Sequence, residues 1–301
     1  MTLTTDTTTP EPTSAGSPSG PGTTTSGPAR IGPIEIAPDT FVIHDTYAPA
    51  GAPGAVHMNS MLIRGAEPIV IDTGTPLDRT AHLEDLFGLV DPDDVRWVFI
   101  SHDDIDHYGN VHEVMDACPN ATLVASWFLC DRVAVDRLDV PPMRWRWVND
   151  GQSLDIGDRT LFAVRPPLYD SPTTRGVFDP TTGVYWASDC YAAPVPGPTA
   201  FVDELDPNEW AAGFHTFQAW NSPWVSMLDE RRFADACAAI EQMAPTTIAG
   251  CHSPTIGSSQ VDRAFELLRE VPGAFVPPQP DQLVLDQIVA TITSMSAQLP
   301  S

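Results

Sequence analysis

An apolar run, "VRWVFIS" (95–101), leads directly into "HDDIDH" (102–107), where five of six side chains ionise. Imidazoles and carboxylates at that density repel or desolvate one another unless a positive charge sits among them. The fold must therefore end a buried strand where cations can gather. His102, Asp104 and Asp106 stand two residues apart, so in extended chain they project to one side. Asp106 and His107 fall at a predicted helix start, where a carboxylate also suits the helix dipole. Capping needs one acidic residue, and this stretch has three, so it reads as a metal-binding strand end.

The rest of the chain supplies the frame. Short strands are predicted at 41–45, 57–65 and 67–74, each bounded by turn residues. A helix follows at about 77–89, where Leu77, Leu83, Leu86 and Phe87 recur at helical spacing. After the motif come a short helix from Asn110, a strand at 121–126 and a helix at about 127–137. Strands return between 146 and 187, around the turn-rich "RPPLYDSPTTRG" (165–176). Two helices at 207–243, a strand at 246–250, a helix at 258–270 and an amphipathic helix at 281–297 complete the chain. Strand-rich runs leading into helices occur twice, which predicts an α/β fold of two sheets with helices outside them. Residues 1–30 are nearly all small or polar and are expected to form a disordered tail, leaving 31–301 as the folded domain with its C-terminal helices.

Composition narrows the partners. Net charge is -25 and every one of the fifteen basic residues is an arginine. Such a polyanion repels phosphate backbones and anionic lipid, which argues against nucleic acid and membrane partners. No apolar run reaches the roughly 18 residues of a membrane span, and the N-terminal segment does not read as a signal peptide. Five scattered cysteines without CxxC spacing point to a reducing cytoplasm. Cys190 and Cys251 read as small buried side chains beside the site.

Four ordered motifs, "IDTG" (71–74), "SHDDIDH" (101–107), "WASD" (186–189) and "AGCH" (249–252), resemble those of the metallo-β-lactamase superfamily. The resemblance implies a four-layer αββα sandwich with two metals along one sheet edge. It implies that Asp72 orients the metal loop, Asp189 bridges the metals and His252 binds one of them. Hydrolases of this fold usually carry His-x-His-x-Asp-His. Asp104 stands at the second histidine, and an acidic residue there is similar to the diiron branch: flavodiiron proteins, stand-alone oxygen-binding diiron proteins and diiron hydroxylases. That branch usually has Glu there. No flavodoxin-like segment is expected after residue 275. The third-motif histidine is also missing, and Asp170 in "YDSP" is either its replacement or a turn residue bonding to nearby backbone.

Charge supports iron independently. Asp104, Asp106, Asp170 and Asp189 would balance two divalent ions, and exchanging imidazole for carboxylate favours harder ions over a zinc tuned to activate water. The expected ligand set is His102, Asp104 and Asp170 on one ion, Asp106 and His252 on the other, Asp189 between them, and His107 as ligand or hydrogen-bond donor. His57, Tyr169, Arg165 and Arg175 are candidate pocket residues. The arginines are left between holding a substrate carboxylate and offsetting the acidic site. The function expected is a dinuclear, diiron protein that binds or reduces O2 or oxidises a small molecule, with a separate electron donor. The alternatives are a zinc hydrolase of an ester, thioester or lactam, and an oxygen or iron sensor; manganese is a further choice of metal. The superfamily often forms homodimers.

Overall fold

The computed structural model describes residues 30–48, 54–135 and 139–297. The expected tail, apart from Arg30, lies outside the described residues, as do positions 298–301. The strands in chain order are β1 (Ile34–Ala37), β2 (Thr40–Ile43), β3 (Thr46–Tyr47), β4 (Val56–His57), β5 (Ser60–Ile63), β6 (Ile69–Ile71), β7 (Trp97–Phe99), β8 (Thr122–Ala125) and β9 (Trp145–Trp147). β3 and β4 pair only with each other; the remainder form one sheet in the order β1-β2-β5-β6-β7-β8-β9. A second sheet runs in sequence order through β10 (Ser153–Asp155), β11 (Thr160–Val164), β12 (Gly176–Asp179), β13 (Val184–Trp186) and β14 (Thr247–Ala249). The helices are α1 (Arg79–Leu89), α2 (Ile105–Tyr108), α3 (Val111–Ala117), α4 (Trp127–Val135), α5 (Pro207–Asn221), α6 (Glu230–Glu241), α7 (Val261–Arg269) and α8 (Gln282–Ala297).

Strand periodicity explains the layering. In β6, Ile69 and Ile71 join an apolar cluster with Leu161, Val177, Val184 and Trp186 of the other sheet. Val70 between them points the other way, to a cluster with Leu86 of α1, Val114 of α3 and Leu129 of α4. The second sheet repeats this pattern. Phe178, Tyr185 and Ile248 face Phe214 of α5, Phe233 of α6 and Phe265 of α7. Three apolar clusters separated by two sheets make a four-layer αββα sandwich. Strands buried on both faces read as continuous apolar runs, which is why "VRWVFIS" looked unlike a half-exposed strand.

Polar residues set where the helices start. The Asp206 side chain accepts from the Asn208 and Glu209 amides ahead of α5, with Pro207 at its first position, and Asp229 accepts from the Arg232 amide ahead of α6. α8 forms where a helix was expected, but Leu283, Leu285 and Val289 on it are exposed, so these apolar side chains are not buried as amphipathicity implied. No helix among the described residues is long and apolar enough to cross a membrane.

Direction decides which loops meet. β6, β7 and β8 run parallel, as do β13 and β14, and β11 shares the direction of β13 because each is antiparallel to β12. The segments after β6, β7, β11, β13 and β14 therefore gather at one edge. They carry Asp72, His102–His107, Asp170, Asp189 and His252.

Candidate metal centre

The chain does not stay extended through the motif, which corrects the expectation that His102, Asp104 and Asp106 share one side. It enters α2 at Ile105, with Asp104 as the residue before the helix. Asp104 therefore stays on the side of His102, their carboxylate and Nε2 atoms 3.3 Å apart, while Asp106 faces His252 Nε2 at 3.0 Å. Between the two sides sits His107, its ring centroid 4.9 Å from that of His102 and 5.7 Å from that of His252.

All three imidazoles are held in the same sense. His102 Nδ1 lies 2.8 Å from Thr174 Oγ1, His107 Nδ1 lies 3.0 Å from Asp72 Oδ2, and His252 Nδ1 lies 2.6 Å from the carbonyl of His57. Anchoring through Nδ1 fixes the ring and leaves Nε2 for the centre. Asp189 lies among the three rings, its Oδ1 2.9 Å from His107 Nε2 and 3.5 Å from His252 Nε2. Asp170 Oδ1 comes within 3.4 Å of His102 Nε2.

Four of the atoms that face the centre are close to one another without a hydrogen bond of good geometry. His102 Nε2, His107 Nε2, Asp170 Oδ1 and Asp189 Oδ1 are all buried and have no hydrogen-bond partner. Burying such atoms unpaired is costly, and in nature a shared cation removes the cost. Their donors form three overlapping groups, Asp106–His107–Cys251–His252, His102–His107–Asp189 and His102–Asp104–Asp170, with ligand atoms in each group within 4.8 Å of one another. Metal–ligand bonds of about 2 Å bring ligand atoms to spacings of this order. The residues present therefore fit a two-ion centre.

Charge records the same crowding. Burial opposes ionisation of Asp189, but His107 and His252 outweigh it and hold its carboxyl well below the usual carboxylate range. Burial likewise resists charge on His107 and His252, yet Cys251 and Asp189 push both well above an ordinary histidine. Asp106, despite burial, is held down to about 2 by His252 and His107. Asp170 goes the other way: burial and the nearby Asp189 raise it, with His102 only partly opposing.

Asp72 sits behind this layer, fully buried. Its carboxylate accepts from the Ser101 amide at 2.7 Å, the Ser101 hydroxyl at 2.6 Å and Trp186 Nε1 at 3.1 Å, besides facing His107. It adopts φ 59°, and Ser188 and Tyr191 flank Asp189 at 54° and 73°, left-handed conformations that non-glycine residues rarely take and that cluster at functional sites. At Gly250 a Cβ would come 2.7 Å from the Ser188 carbonyl, so only glycine lets the turns carrying Asp189 and His252 approach.

The proposed pocket residues divide differently. The His57 ring packs beside that of His44, and its carbonyl receives His252 Nδ1. Arg165 and Arg175 both engage Asp150 and the Pro172 carbonyl, so each guanidinium braces the loop that carries Asp170. Tyr169 lies under Arg165, which stands 4.9 Å from its ring centroid. Two participants were not anticipated: Phe217, whose ring is 5.5 Å from that of His252, and Asp103, which turns away from the centre. Neither has a spacing that singles it out. Cys251 is buried, its sulfur 4.0 Å from the Asp106 carbonyl.

A four-layer sandwich with imidazoles and carboxylates converging at one edge defines a class, and residues 53–126 match the metallo-beta-lactamase superfamily. That matched segment holds the first two of the four motifs. The fold is shared with solved flavodiiron proteins, and the relatives matched over part of their length include diflavin flavoproteins and flavorubredoxins, in keeping with what the motifs implied. The diflavin flavoprotein A 1 of Synechocystis sp. is 30% identical over 137 residues, 44% of this chain and 23% of that protein. The anaerobic nitric oxide reductase flavorubredoxin of Enterobacter sp. is 27% identical over 156 residues, 50% of this chain and 31% of that protein. The chain thus matches only a part of each relative's length. The flavodiiron protein of Giardia intestinalis superposes with a TM-score of 0.69 at 18% identity, covering 82% of this chain and 60% of that one.

Proposed function

We propose that the edge cluster holds two iron ions and that the protein binds or reduces O2, or uses it to oxidise a small molecule. In this reading His102, Asp104 and Asp170 hold one ion. Asp106 and His252 would hold the other, with His107 beside it, and Asp189, which lies between the two sets, would serve both. The observation that carries the reading is the balance of charge: four carboxylates gather around three imidazoles whose Nε2 atoms point inward. Such a donor set neutralises two divalent ions and favours a hard, redox-active metal over an electrophilic zinc. When bound, iron supplies the electron exchange with O2 that no protein side chain provides.

The chain's own groups do the rest. Asp72 accepts the Nδ1 proton of His107, which keeps Nε2 free and aimed inward. The His57 carbonyl does the same for His252, and Thr174 holds His102. Asp104 is the outer member of the set, its side chain 62% exposed, so solvent, protons and a small substrate reach the centre past it. Phe217 closes the opposite wall against His252. Reduction of O2 consumes electrons, so a separate electron donor belongs to this reading.

Elemental mass spectrometry on protein purified without oxygen from iron-supplied cells, with optical spectra before and after air, tests it. Two irons per chain and an oxygen-dependent absorption band are the expected result. Two zincs with a spectrum unchanged by air would overturn it in favour of a hydrolase, and a metal-free chain would overturn it outright.

A further inference from the structure

Asp103 is the one ionisable residue of 102–107 that points away from the centre, and it is far from idle. Its Oδ1 accepts from Ser171 Oγ at 2.9 Å and Thr173 Oγ1 at 2.5 Å, and its other oxygen pairs with Arg132 Nε of α4. Its neighbours are engaged by the same loop. The Arg175 amide donates to the Ser101 carbonyl at 2.7 Å, and Thr174 Oγ1 meets His102 Nδ1 at 2.8 Å. Residues 101, 102 and 103 are thus met in reverse order by 175, 174 and 173. Two loops from different sheets are registered against each other residue by residue, in the way antiparallel strands are.

The register has a chemical consequence. Asp170 immediately precedes Ser171, and its Oδ1 stands 3.4 Å from His102 Nε2, so the placement of this turn sets the placement of that carboxylate. Ser171 and Thr173, whose hydroxyls converge 2.8 Å apart on the same carboxylate oxygen while the Thr173 amide donates to Ser171 Oγ, fix the turn around Pro172, whose carbonyl is gripped by Arg165 and Arg175. Asp103 is where that turn is tied to the metal motif.

We infer that Asp103 is a positioning residue: by tying Ser171 and Thr173 to the metal motif it sets Asp170 and His102 at their mutual distance, and so governs retention of the ion on that side. The motif's extra aspartate and the loop's hydroxyl-rich "SPTT" are two parts of one device, which replaces the missing histidine by a carboxylate held in register. This rests on the proposed function only in taking Asp170 as a ligand.

The test is titration of ferrous iron into metal-free full-length protein, read as affinity for each ion and as the optical spectrum. Asp103→Ala, and separately Ser171→Ala with Thr173→Val, should weaken one of the two ions roughly 10–100-fold, the usual cost of losing an outer partner, and leave the other unchanged. Combining them should weaken it no further, since both remove the same contacts. Asp103→Asn keeps the acceptor oxygen while losing the charge on Arg132, and should hold the ion close to wild type. Wild-type affinity for both ions in Asp103→Ala, or equal weakening of both, would overturn the inference. Ser171→Ala alone removes one donor, and should weaken the same ion less if Asp103→Ala does not fold; no change there would overturn it too. Asp170→Ala separates the two readings. If it binds both ions as wild type does, the ligand assignment fails; if it loses one ion while Asp103→Ala loses none, only the positioning role fails.

Discussion

The two sides of the centre are built by different means. On the His252 side the donors come from strand ends and the first turn of α2, and the side chains of His107, His252 and Asp106 are 0%, 8% and 17% exposed. Their anchors are a core carboxylate, Asp72, and a backbone carbonyl, that of His57. On the His102 side the imidazole is equally buried and Asp170 is 15% exposed, much like Asp106, but Asp104 is 62% exposed. There the anchor is a loop held by hydroxyls. The contrast teaches that the sandwich itself encloses the imidazoles and three of the carboxylates, while one carboxylate, Asp104, stands at the rim where charge and access can be adjusted.

The sharpest way to break the comparison is at its common root. Asp72→Ala strands the Ser101 amide and Trp186 Nε1, and takes from the Ser101 hydroxyl and His107 Nδ1 their carboxylate partner, at once. A loss on the order of 3–5 kcal/mol is expected in urea denaturation, together with loss of both ions, because several buried partners go unpaired.

Acid should attack the His252 side first. His44 and His57 are each pushed down to about 4, chiefly by burial and further by neighbouring histidines, so in the fold they stay neutral. An unfolded histidine takes its proton near pH 6.5, a folded one here only near 4. Their contribution is therefore complete above about pH 6.5 and is lost as pH falls toward 4, on the order of 3 kcal/mol for each. Denaturation of His44→Gln across that range should show a shallower loss than wild type; an unchanged slope would remove His44 from the account.

Asp170→Ala probes the other side and should be milder for the fold. Removing a carboxyl whose charge burial and Asp189 disfavour leaves the metal-free protein within about 1 kcal/mol of wild type, while one ion is lost on elemental analysis. Asp104→Ala should be the smallest change. In the metal-free protein an exposed carboxylate contributes little to stability, and unfolding there should shift by no more than about 0.5 kcal/mol.

Much of this architecture was legible along the chain. The run 95–101 leading into His102 is a buried parallel strand opening on the centre, while the unbroken apolar run Ile69–Val70–Ile71 marks a strand covered on both faces without showing which residue faces which layer. The edges were less so. The extended reading of His102, Asp104 and Asp106 failed because Ile105 starts a helical turn, which sends Asp106 to the far side. The arginines at 165 and 175 looked available for a substrate, but Asp150, fifteen and twenty-five residues away, occupies both. Such pairing joins segments by folding, and no local pattern announces it.

The sequence by itself determined which chemistry was available: imidazoles and carboxylates in four ordered motifs, an apolar frame in two βα halves, and a missing third-motif histidine. Those are properties of residue type and short spacing, carried by burial and strand periodicity. Only the tertiary structure decided orientation: that each imidazole is tethered through Nδ1, that Asp103 faces a loop and not the centre, and that Asp170 comes up to His102. Orientation depends on partners 35 to 195 residues distant, as from Asp72 to His107 and from His57 to His252. Contacts at that range exist only after the two sheets have packed face to face.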